Sequence, residues 1–291
     1  MLKTVMAFIS LKGNTFLTSY MKRECWTVPL FLHQRVHSSR LSSEQGLLLN
    51  EEDSSSYRRL IGRLIYLTNT RLDISFSVNK LSQFVSAPTS THQQTVFQIL
   101  RYLKNAPGYG IFLPHQNSIH LKAYSDSDWT TCPETKKFFT GFSIYLGESL
   151  ISWKSKKQQT ISKSFSKTEY KAMAATTCEL QWLTYLLQDL GVSYTQPTTM
   201  YCDNQSTIQI ASNQVFHEHT KHIEIDCHIV QEKINVGPLK LLPISSSIQT
   251  ADIFTKSLPP STFQLLHSKL GMKNIYSQLE GVINFFFCID G

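Results

Sequence analysis

The run His120-Leu121-Lys122-Ala123-Tyr124-Ser125-Asp126 decides how this chain folds. Apolar and polar residues alternate along it, which predicts a β-strand with one buried face that leads into a turn near Pro133. The carboxylate of Asp126 would then project from the end of that strand. The run therefore predicts a sheet that carries an acidic group at a strand end.

Three other carboxylates have comparable settings. Glu169 begins a helical pattern whose spacing places it on the sheet-facing side of the helix. Asp203 closes a short strand, and Asp252 lies in a short helical segment that follows another strand. Because one aspartate holds Mg²⁺ too weakly, two-metal phosphodiester hydrolysis needs several carboxylates around two hard cations roughly 4 Å apart. The four carboxylates are candidates for such a site. The apolar positions that define the helix of Glu169 are Met173, Leu180, Leu183 and Leu187.

The rest of the pattern indicates an α/β layout. Gly147-Glu148 is typical of a hairpin turn, so the strands on either side of it should pair antiparallel. A helical region, 57–105, comes first, and Ser90-Thr91-His92-Gln93 within it resembles a capping box. Strands followed by alternating helices and strands predict a mixed sheet with helices on both faces. The predicted strands are 110–114, 119–126, 139–147, 149–155, 199–203 and 239–244, and the later predicted helices are 168–190, 205–212, 218–235 and 249–257.

Positive charge is concentrated in one part of the chain. The 291 residues are 41% hydrophobic and carry a formal net charge of +7. Eight lysines and two glutamates between Lys136 and Lys171 give that segment a net charge of +6. Lysine and arginine release counterions when they meet phosphates, so the segment favours a nucleic-acid partner. A charge run alone is more simply a solvated surface, but the candidate carboxylates beside it favour nucleic acid.

Cysteine usage and hydropathy exclude several classes of protein. Six cysteines are widely spaced without a Cys-x-x-Cys pair, so neither a disulfide framework nor a zinc ribbon is expected, and a reducing compartment fits. No apolar run approaches the length of a membrane span. The N-terminal residues faintly imitate a signal peptide, but Lys12 interrupts their short apolar core. We therefore expect no secretion and no membrane partner.

Six motifs, in the same order as in the family, resemble the ribonuclease H domain of copia-type retrotransposon polyproteins. The upstream run Tyr57–Leu67 resembles the segment that links polymerase and ribonuclease H in that family. The resemblance runs from Tyr57 to Tyr276, or 220 of 291 residues. The six motifs are Tyr124-Ser125-Asp126-Ser127-Asp128-Trp129, Ile151-Ser152-Trp153-Lys154-Ser155-Lys156-Lys157-Gln158, Thr168-Glu169-Tyr170-Lys171-Ala172-Met173-Ala174, Cys202-Asp203-Asn204-Gln205, Thr220-Lys221-His222-Ile223 and Ala251-Asp252-Ile253-Phe254-Thr255-Lys256.

The resemblance implies a fold and a division of the chain. The fold is a ribonuclease H-like mixed five-stranded sheet, flanked by helices and preceded by a small helical segment. Residues 1–55 would be an unmatched N-terminal segment and linker, and 56–110 the helical end of a reverse transcriptase or connection. Residues 111–260 would form the ribonuclease H-like domain, and 261–291 a C-terminal tail.

The resemblance also implies hydrolysis of the RNA strand of an RNA/DNA hybrid with two Mg²⁺ ions, or Mn²⁺ in their place. Asp126 would bridge the ions, while Glu169, Asp203 and Asp252 would complete their coordination. One ion would activate the attacking water and the other would stabilise the leaving 3′-oxygen. The expected partners are the hybrid and other parts of the Pol polyprotein, and the expected location is the cytoplasm, in virus-like particles, and also the nucleus. The residues expected to bind nucleic acid are Lys154, Lys156, Lys157, Asn204, Gln205, Lys221 and His222.

Some residues keep a second interpretation. Asp126 and Asp128 lie two positions apart, so both would be on one face of a strand and spacing cannot choose between them. The family resemblance chooses Asp126. His217, His219 and His222 have metal-like spacing, but no cysteine pair accompanies them, so zinc is the weaker hypothesis there.

Other functions remain as alternatives to an active nuclease. Lys167 and Thr168 stand where the family commonly has an acidic and a small residue before the glutamate, so an inactive nucleic-acid-binding remnant is the main alternative. The order Asp, Glu, Asp, Asp differs from the Asp, Asp, Glu order of transposases and integrases. The Asp-x-Glu opening of 3′-exonucleases is also missing. No Asp-Asp pair occurs in the sequence, so polymerase activity is not expected from this chain.

Overall fold

The computed structural model of the chain describes residues 41–42, 45–129, 137–161, 164–194, 196–212 and 224–274. These residues form two compact units, one within 114–258 and the other built from residues before 114 and after 258. The helices are α1 (Glu51–Leu67), α2 (Ser75–Leu81), α3 (Ser90–Asn105), α4 (Phe165–Asp189), α5 (Gln205–Ser212), α6 (Glu224–Val236) and α7 (Pro260–Lys269), with 3-10 turns at Leu72–Ile74, Ser82–Phe84, Ser246–Ile248 and Thr250–Phe254. The strands are β1 (Tyr109–Ile111), β2 (Leu121–Asp128), β3 (Lys137–Leu146), β4 (Ser149–Ile161), β5 (Thr198–Cys202), β6 (Leu239–Pro243) and β7 (Met272–Asn274).

The unit of residues 114–258 is built on a five-stranded sheet in the order β4-β3-β2-β5-β6. Strands β2, β3 and β4 pair antiparallel, whereas β5 runs parallel to both β2 and β6. The predicted mixed five-stranded sheet with flanking helices is therefore confirmed. The predicted strand 110–114 is not part of it, because β1 pairs with β7 in a separate two-stranded sheet.

The hairpin between β3 and β4 turns where the sequence predicted. Gly147 has a φ of 59°, a left-handed conformation that favours glycine. Its amide donates a hydrogen bond to the carbonyl of His120, 2.7 Å away. A side chain at Gly147 would collide with Asn117, so the position requires glycine for space as well as for conformation.

One face of this sheet forms a core with α4, α5 and α6. Leu121 and Ala123 alternate inward from β2, as the opening run predicted. Met173 on α4 packs into the same cluster, and burial of one such side chain contributes about 1.5–3 kcal/mol. Phe142 on β3 belongs to this core, and its neighbour Gly141 faces the opposite side of the sheet because successive strand residues alternate. The 3-10 turn Thr250–Phe254 lies on that opposite side, next to Gly141. In place of the helix predicted at 249–257, the structure has this shorter 3-10 turn.

The second unit begins with three helices that share an apolar core. Asn50 caps α1 by accepting a hydrogen bond from the amide of Asp53 at 2.8 Å, so residues 51–55 of the predicted linker lie in the first turns of this helix. The capping box of α3 starts one residue before the prediction, at Thr89. Its amide donates to Nδ1 of His92 at 3.0 Å. The buried core residues are Tyr57, Leu60, Ile61, Leu64, Ile74, Val78, Leu81, Val96, Ile99, Leu100 and Leu103.

Residues after 258 complete this second unit. Strand β7 pairs antiparallel with β1, from Tyr109 opposite Asn274 to Ile111 opposite Met272. Helix α7 precedes β7 and buries Phe263 and Leu266. The first part of the predicted C-terminal tail, 261–274, therefore contains most of a helix and a strand. Among the described residues, no helix combines the length and the apolar character that crossing a membrane needs.

Candidate metal centre

The fold brings three of the four predicted carboxylates to one point. Asp126 projects from β2, Glu169 from the first turns of α4, and Asp203 follows the last residue of β5. One oxygen from each lies within 4.8 Å of the others. Asp126 and Glu169 are buried, whereas Asp203 is half-buried. Because β2 and β5 are parallel neighbours, their carboxyl ends meet at the same edge of the sheet, which explains how residues 77 positions apart converge.

Glu169 is the most unusual member of this group. Its side chain is fully buried, and neither carboxylate oxygen has a hydrogen-bond partner among the described residues. Burial, followed by the nearby charges of Asp126 and Asp203, raises the pKa of Glu169 far above its ordinary value, against the smaller opposing effects of Lys256 and of the nearby Ser127 hydroxyl. The proton of that hydroxyl is donated to Thr168. A buried carboxylate without donors is costly unless a cation or a proton compensates for it. Glu169 therefore fits the part of a metal ligand.

Asp126 lies at the centre of the site and has two partners. The hydroxyl of Thr255 donates a short hydrogen bond to its Oδ2, and Nζ of Lys256 lies 3.4 Å from its Oδ1. Burial raises the pKa of Asp126, against the opposing effects of Lys256 and Thr255. The carboxylate is therefore held in a fixed orientation.

Asp252 stands beside the group of three. It does not belong to the set of mutually close oxygens, and its Oδ1 forms an ion pair with Lys256 at 3.0 Å. Burial, followed by the charge of Asp126, raises the pKa of Asp252 to about 8. The turn that carries it is fastened to the sheet by three hydrogen bonds: Gln249 to the carbonyl of Ser125 at 2.9 Å, Ser143 with Thr250 at 2.7 Å, and Ser155 to the carbonyl of Phe254 at 2.6 Å.

Three residues of the site were not predicted to take part in it. Thr255 and Lys256 lie in the motif that contains Asp252, but neither was assigned a role. Lys256 follows Asp252 by four positions, a spacing that brings opposite charges together on a helix. This spacing could have indicated that Lys256 pairs with Asp252. Ser246 is a further addition, because its hydroxyl donates to Oδ2 of Asp203 at 2.7 Å.

The flank of Glu169 is well accommodated. Thr168 is fully buried and donates to the carbonyl of Phe165 at 2.7 Å. Its hydroxyl also accepts a hydrogen bond from Ser127 at 2.8 Å. The Thr168 hydroxyl therefore has its hydrogen-bond partners away from Glu169, whose carboxylate lies beside Asp126 and Asp203.

The predicted nucleic-acid residues divide into separate groups. Lys154 and Lys156 are exposed on β4 opposite Phe142 and Thr140, and with Ala172 they line a small cavity of about 70 Å³. Lys157 is half-buried and points to the other face of the sheet, because successive strand residues alternate.

The remaining predicted residues lie near the start of α5 or outside the described residues. Oδ1 of Asn204 accepts from the amide of Thr207 at 3.0 Å and so caps α5, while Gln205 is exposed. The other predicted nucleic-acid residues, Lys221 and His222, and the histidines His217 and His219 lie outside the described residues.

We expect the metal-free protein to become less stable as the pH rises from about 4 to 8. Asp126, Glu169 and Asp252 have raised pKa values in the folded state, to about 8 for Asp252. The unfolded chain releases these protons near pH 4, so through these three groups the folded state binds more protons across that interval. The lowered pKa values of two buried histidines, His92 and His267, oppose this effect in the lower part of the interval, but they are outnumbered by the three carboxylates. Thermal unfolding in EDTA should occur at a lower temperature at pH 8 than at pH 5. Glu169→Gln should reduce the dependence of the unfolding temperature on pH. The prediction is contradicted if the parent unfolds at a higher temperature at pH 8 than at pH 5.

Gly141→Ala is expected to slow any chemistry at this site and to destabilise the protein by about 1–3 kcal/mol. The added methyl carbon would lie 2.8 Å from Cβ of Phe254 and 2.8 Å from Cγ2 of Thr255, so the turn that carries Asp252 must move. Gly62→Ala is the matched control, since nothing lies within 4 Å of its added carbon. Denaturant unfolding of both variants tests the prediction, which fails if Gly141→Ala unfolds like the parent.

Comparisons with known proteins show what this chain is similar to. No protein-family model matches the chain. It is 41% identical over 82% of its length to the retrovirus-related Pol polyprotein from transposon RE1 of Arabidopsis thaliana, and 35% identical over 74% to that from transposon TNT 1-94 of Nicotiana tabacum. The chain spans 16% of the length of each of these relatives. Among solved structures, an N-terminal RNase H domain from Mycobacterium tuberculosis covers 52% of this chain and 98% of its own, with a TM-score of 0.35 and 11% identity.

Proposed function

Because this chain belongs to the retrovirus-related Pol polyproteins of Ty1/copia-type transposons, we propose that its unit of residues 114–258 is a ribonuclease H that hydrolyses the RNA strand of RNA/DNA hybrids. The observation that carries the proposal is Glu169, whose two buried oxygens have no hydrogen-bond partner and lie beside Asp126 and Asp203. Such a group binds a proton when metal is absent and is suited to a divalent cation. We propose Mg²⁺ as that cation, with Mn²⁺ as an alternative, because all the donors are carboxylate oxygens.

Asp126, Glu169 and Asp203 would hold one ion, and Asp126 with Asp252 would hold a second. When bound, the ions would activate the attacking water and stabilise the leaving 3′-oxygen. The chain's own contribution is to orient the ligands in advance. Thr255 fixes Asp126, Ser246 orients Asp203, and the hydrogen bonds of the 3-10 turn position Asp252.

Substrate binding in this proposal depends on the backbone of the hybrid. Lys154 and Lys156 on the edge strand β4 would contact phosphates without reading bases. A cleavage site of this kind recognises A-form-like geometry and 2′-hydroxyl groups, which suits a nuclease without sequence preference.

Replacing Lys154 and Lys156 with glutamine should weaken hybrid binding and reduce its dependence on salt. Each lost phosphate contact lowers the logarithmic salt slope by roughly 0.9 for a B-DNA-like duplex, so the double variant should lose up to about twice that value. Lys240→Gln is the matched control, because Lys240 is also exposed on an edge strand, β6, at the other side of the sheet. Fluorescence anisotropy at several salt concentrations measures the slopes, and equal slopes for all three proteins would show that the β4 lysines bind no phosphate.

The decisive experiment is cleavage of a labelled RNA/DNA duplex by the full chain, with Mg²⁺, with Mn²⁺ and with EDTA. We expect cuts in the RNA strand that leave 5′-phosphates, and only when a divalent ion is present. A DNA duplex of the same sequence should remain intact. If the folded chain binds the hybrid but leaves it uncut with either ion, the enzyme assignment is wrong.

That negative result would favour the second candidate, an inactive nucleic-acid-binding remnant. Its support is the unusual Lys167-Thr168 pair before Glu169. Restoring Lys167→Glu and Thr168→Ala tests whether this pair alone abolished cleavage. The hydrogen bonds of Thr168 with Ser127 and Phe165 instead support a formed site, so we propose the active enzyme first.

A further inference from the structure

We propose that Lys256 is a tethered counter-ion that occupies the second cation position, between Asp126 and Asp252. The protein would then bind one divalent ion tightly, and a second ion only when the ammonium group moves away. The inference rests on the proposed function, because it concerns the same group of carboxylates.

The contacts of Lys256 place its charge inside the site. Its Nζ lies 3.0 Å from Oδ1 of Asp252 and 3.4 Å from Oδ1 of Asp126. Its side chain is 31% exposed, whereas those of Asp252 and Asp126 are 7% and 2% exposed. The backbone amide of Lys256 also donates to the carbonyl of Asp252 at 3.1 Å, so the lysine is anchored beside its partner.

The carboxylates divide into two unequal positions that share Asp126. The first consists of Asp126, Glu169 and Asp203, whose oxygens lie within 4.8 Å of one another. No ammonium group is paired with Glu169 or Asp203 in the described part of the chain. The second position consists of Asp126 and Asp252, and there the ammonium bridges both residues. A divalent ion entering the first position would therefore meet the ammonium group at only one of its three carboxylates, Asp126.

Distance and charge both oppose an ion at the second position while the ammonium remains. Mg²⁺ requires oxygens at roughly 2.0–2.1 Å, so an ion between Asp126 and Asp252 would compete with the ammonium for the same space. With four ionised carboxylates, the ammonium group and one divalent ion, the site carries a net charge of −1. A second ion would make the charge positive. Repulsion between the ion and the ammonium should then expel the lysine side chain or weaken the binding of the ion.

Calorimetric titration of the full chain with Mg²⁺, without nucleic acid, tests the proposal. The parent should bind one ion tightly and a second at least about tenfold more weakly. Lys256→Met removes the ammonium group while keeping an unbranched side chain. The affinities of this variant for its two Mg²⁺ ions should therefore differ by less than about tenfold. Lys256→Arg keeps the charge and should retain the difference. Lys122→Met is the matched control, because Lys122 also forms an ion pair, with Glu148 at 2.7 Å, and should titrate like the parent.

A second measurement does not require metal. In EDTA, Lys256→Met should unfold at a lower temperature than the parent, because Asp126 and Asp252 lose their shared counter-ion. Saturating Mg²⁺ should restore more stability to this variant than to the parent.

The outcomes separate the two proposals. Two equally tight ions in the parent, or an unchanged difference in Lys256→Met, would overturn the role of Lys256 and leave the ribonuclease proposal intact. If neither the parent nor the variants bind any divalent ion, the metal centre itself fails, and with it both proposals. If Lys256→Met does not fold, the same titration of Lys256→Gln, which also removes the charge, decides the question.

Discussion

Asp126→Asn should reduce hybrid cleavage by about a thousandfold or more while leaving hybrid binding in place. In the proposed mechanism Asp126 is shared by both cation positions, so its loss should weaken both. The amide keeps the size of the side chain, and it can still accept the hydrogen bond from Thr255. Binding should survive, because the lysines of β4 are unchanged. Single-turnover cleavage and anisotropy on the same preparations measure the two effects separately.

Asp128→Asn is the matched control for that prediction, because the sequence alone could not choose between the two aspartates. Asp128 lies on the same face of β2, two residues further on, but it is only half-buried and does not belong to the group of close oxygens. We expect its cleavage rate to stay within a few-fold of the parent. If Asp128→Asn loses as much activity as Asp126→Asn, the two aspartates act together. If both variants keep full activity, Asp126 is not part of the site.

Glu169→Gln should show a comparable loss of cleavage together with a gain in stability. Its cleavage should fall by about a thousandfold, because a neutral amide is a poor ligand for Mg²⁺. In EDTA at pH 8, the variant should unfold at a higher temperature than the parent. The parent must keep Glu169 protonated or tolerate its buried charge beside Asp126 and Asp203, and the amide avoids both costs.

The matched control is Glu179→Gln on the same helix. Glu179 lies ten residues beyond Glu169, is half-buried, and accepts a hydrogen bond from Ser152 at 2.8 Å. Because it is outside the carboxylate group, its replacement should leave cleavage unchanged and should not stabilise the protein. If Glu169→Gln is less stable than the parent in EDTA, its carboxylate has a favourable partner and the metal-ligand assignment loses its main support.

Local patterns were sufficient for much of the sheet and of the site. Alternation predicted that Leu121 and Ala123 are buried, and the spacing of apolar residues predicted that Glu169 faces inward. Both signals depend on neighbouring residues in the chain, which is why the sequence contains them. The hairpin turn at Gly147 was predictable for the same reason.

Features that depend on distant parts of the chain were missed. The role of Lys256 depends on Asp126, which is 130 residues away, and no local pattern links the two. Strand β7 has only three residues, and its partner β1 lies more than 150 residues earlier, so residues 272–274 resembled a tail. The cap of α3 was misplaced by one residue because His92 takes the position where a capping box usually has Glu or Gln.

The pairing of β1 with β7 has a consequence for how the chain folds during translation. Residues 114–258 are a continuous segment, so that unit can fold as soon as they have left the ribosome. Strand β1 emerges earlier, but it must wait until Asn274 has been synthesised, which takes roughly ten to thirty seconds at typical elongation rates. During that interval β1 is an unpaired edge open to pairing with other nascent chains. Within residues 109–274, the unit that contains β1 is therefore completed after the unit of residues 114–258, and slow elongation over this stretch would leave β1 unpaired for longer.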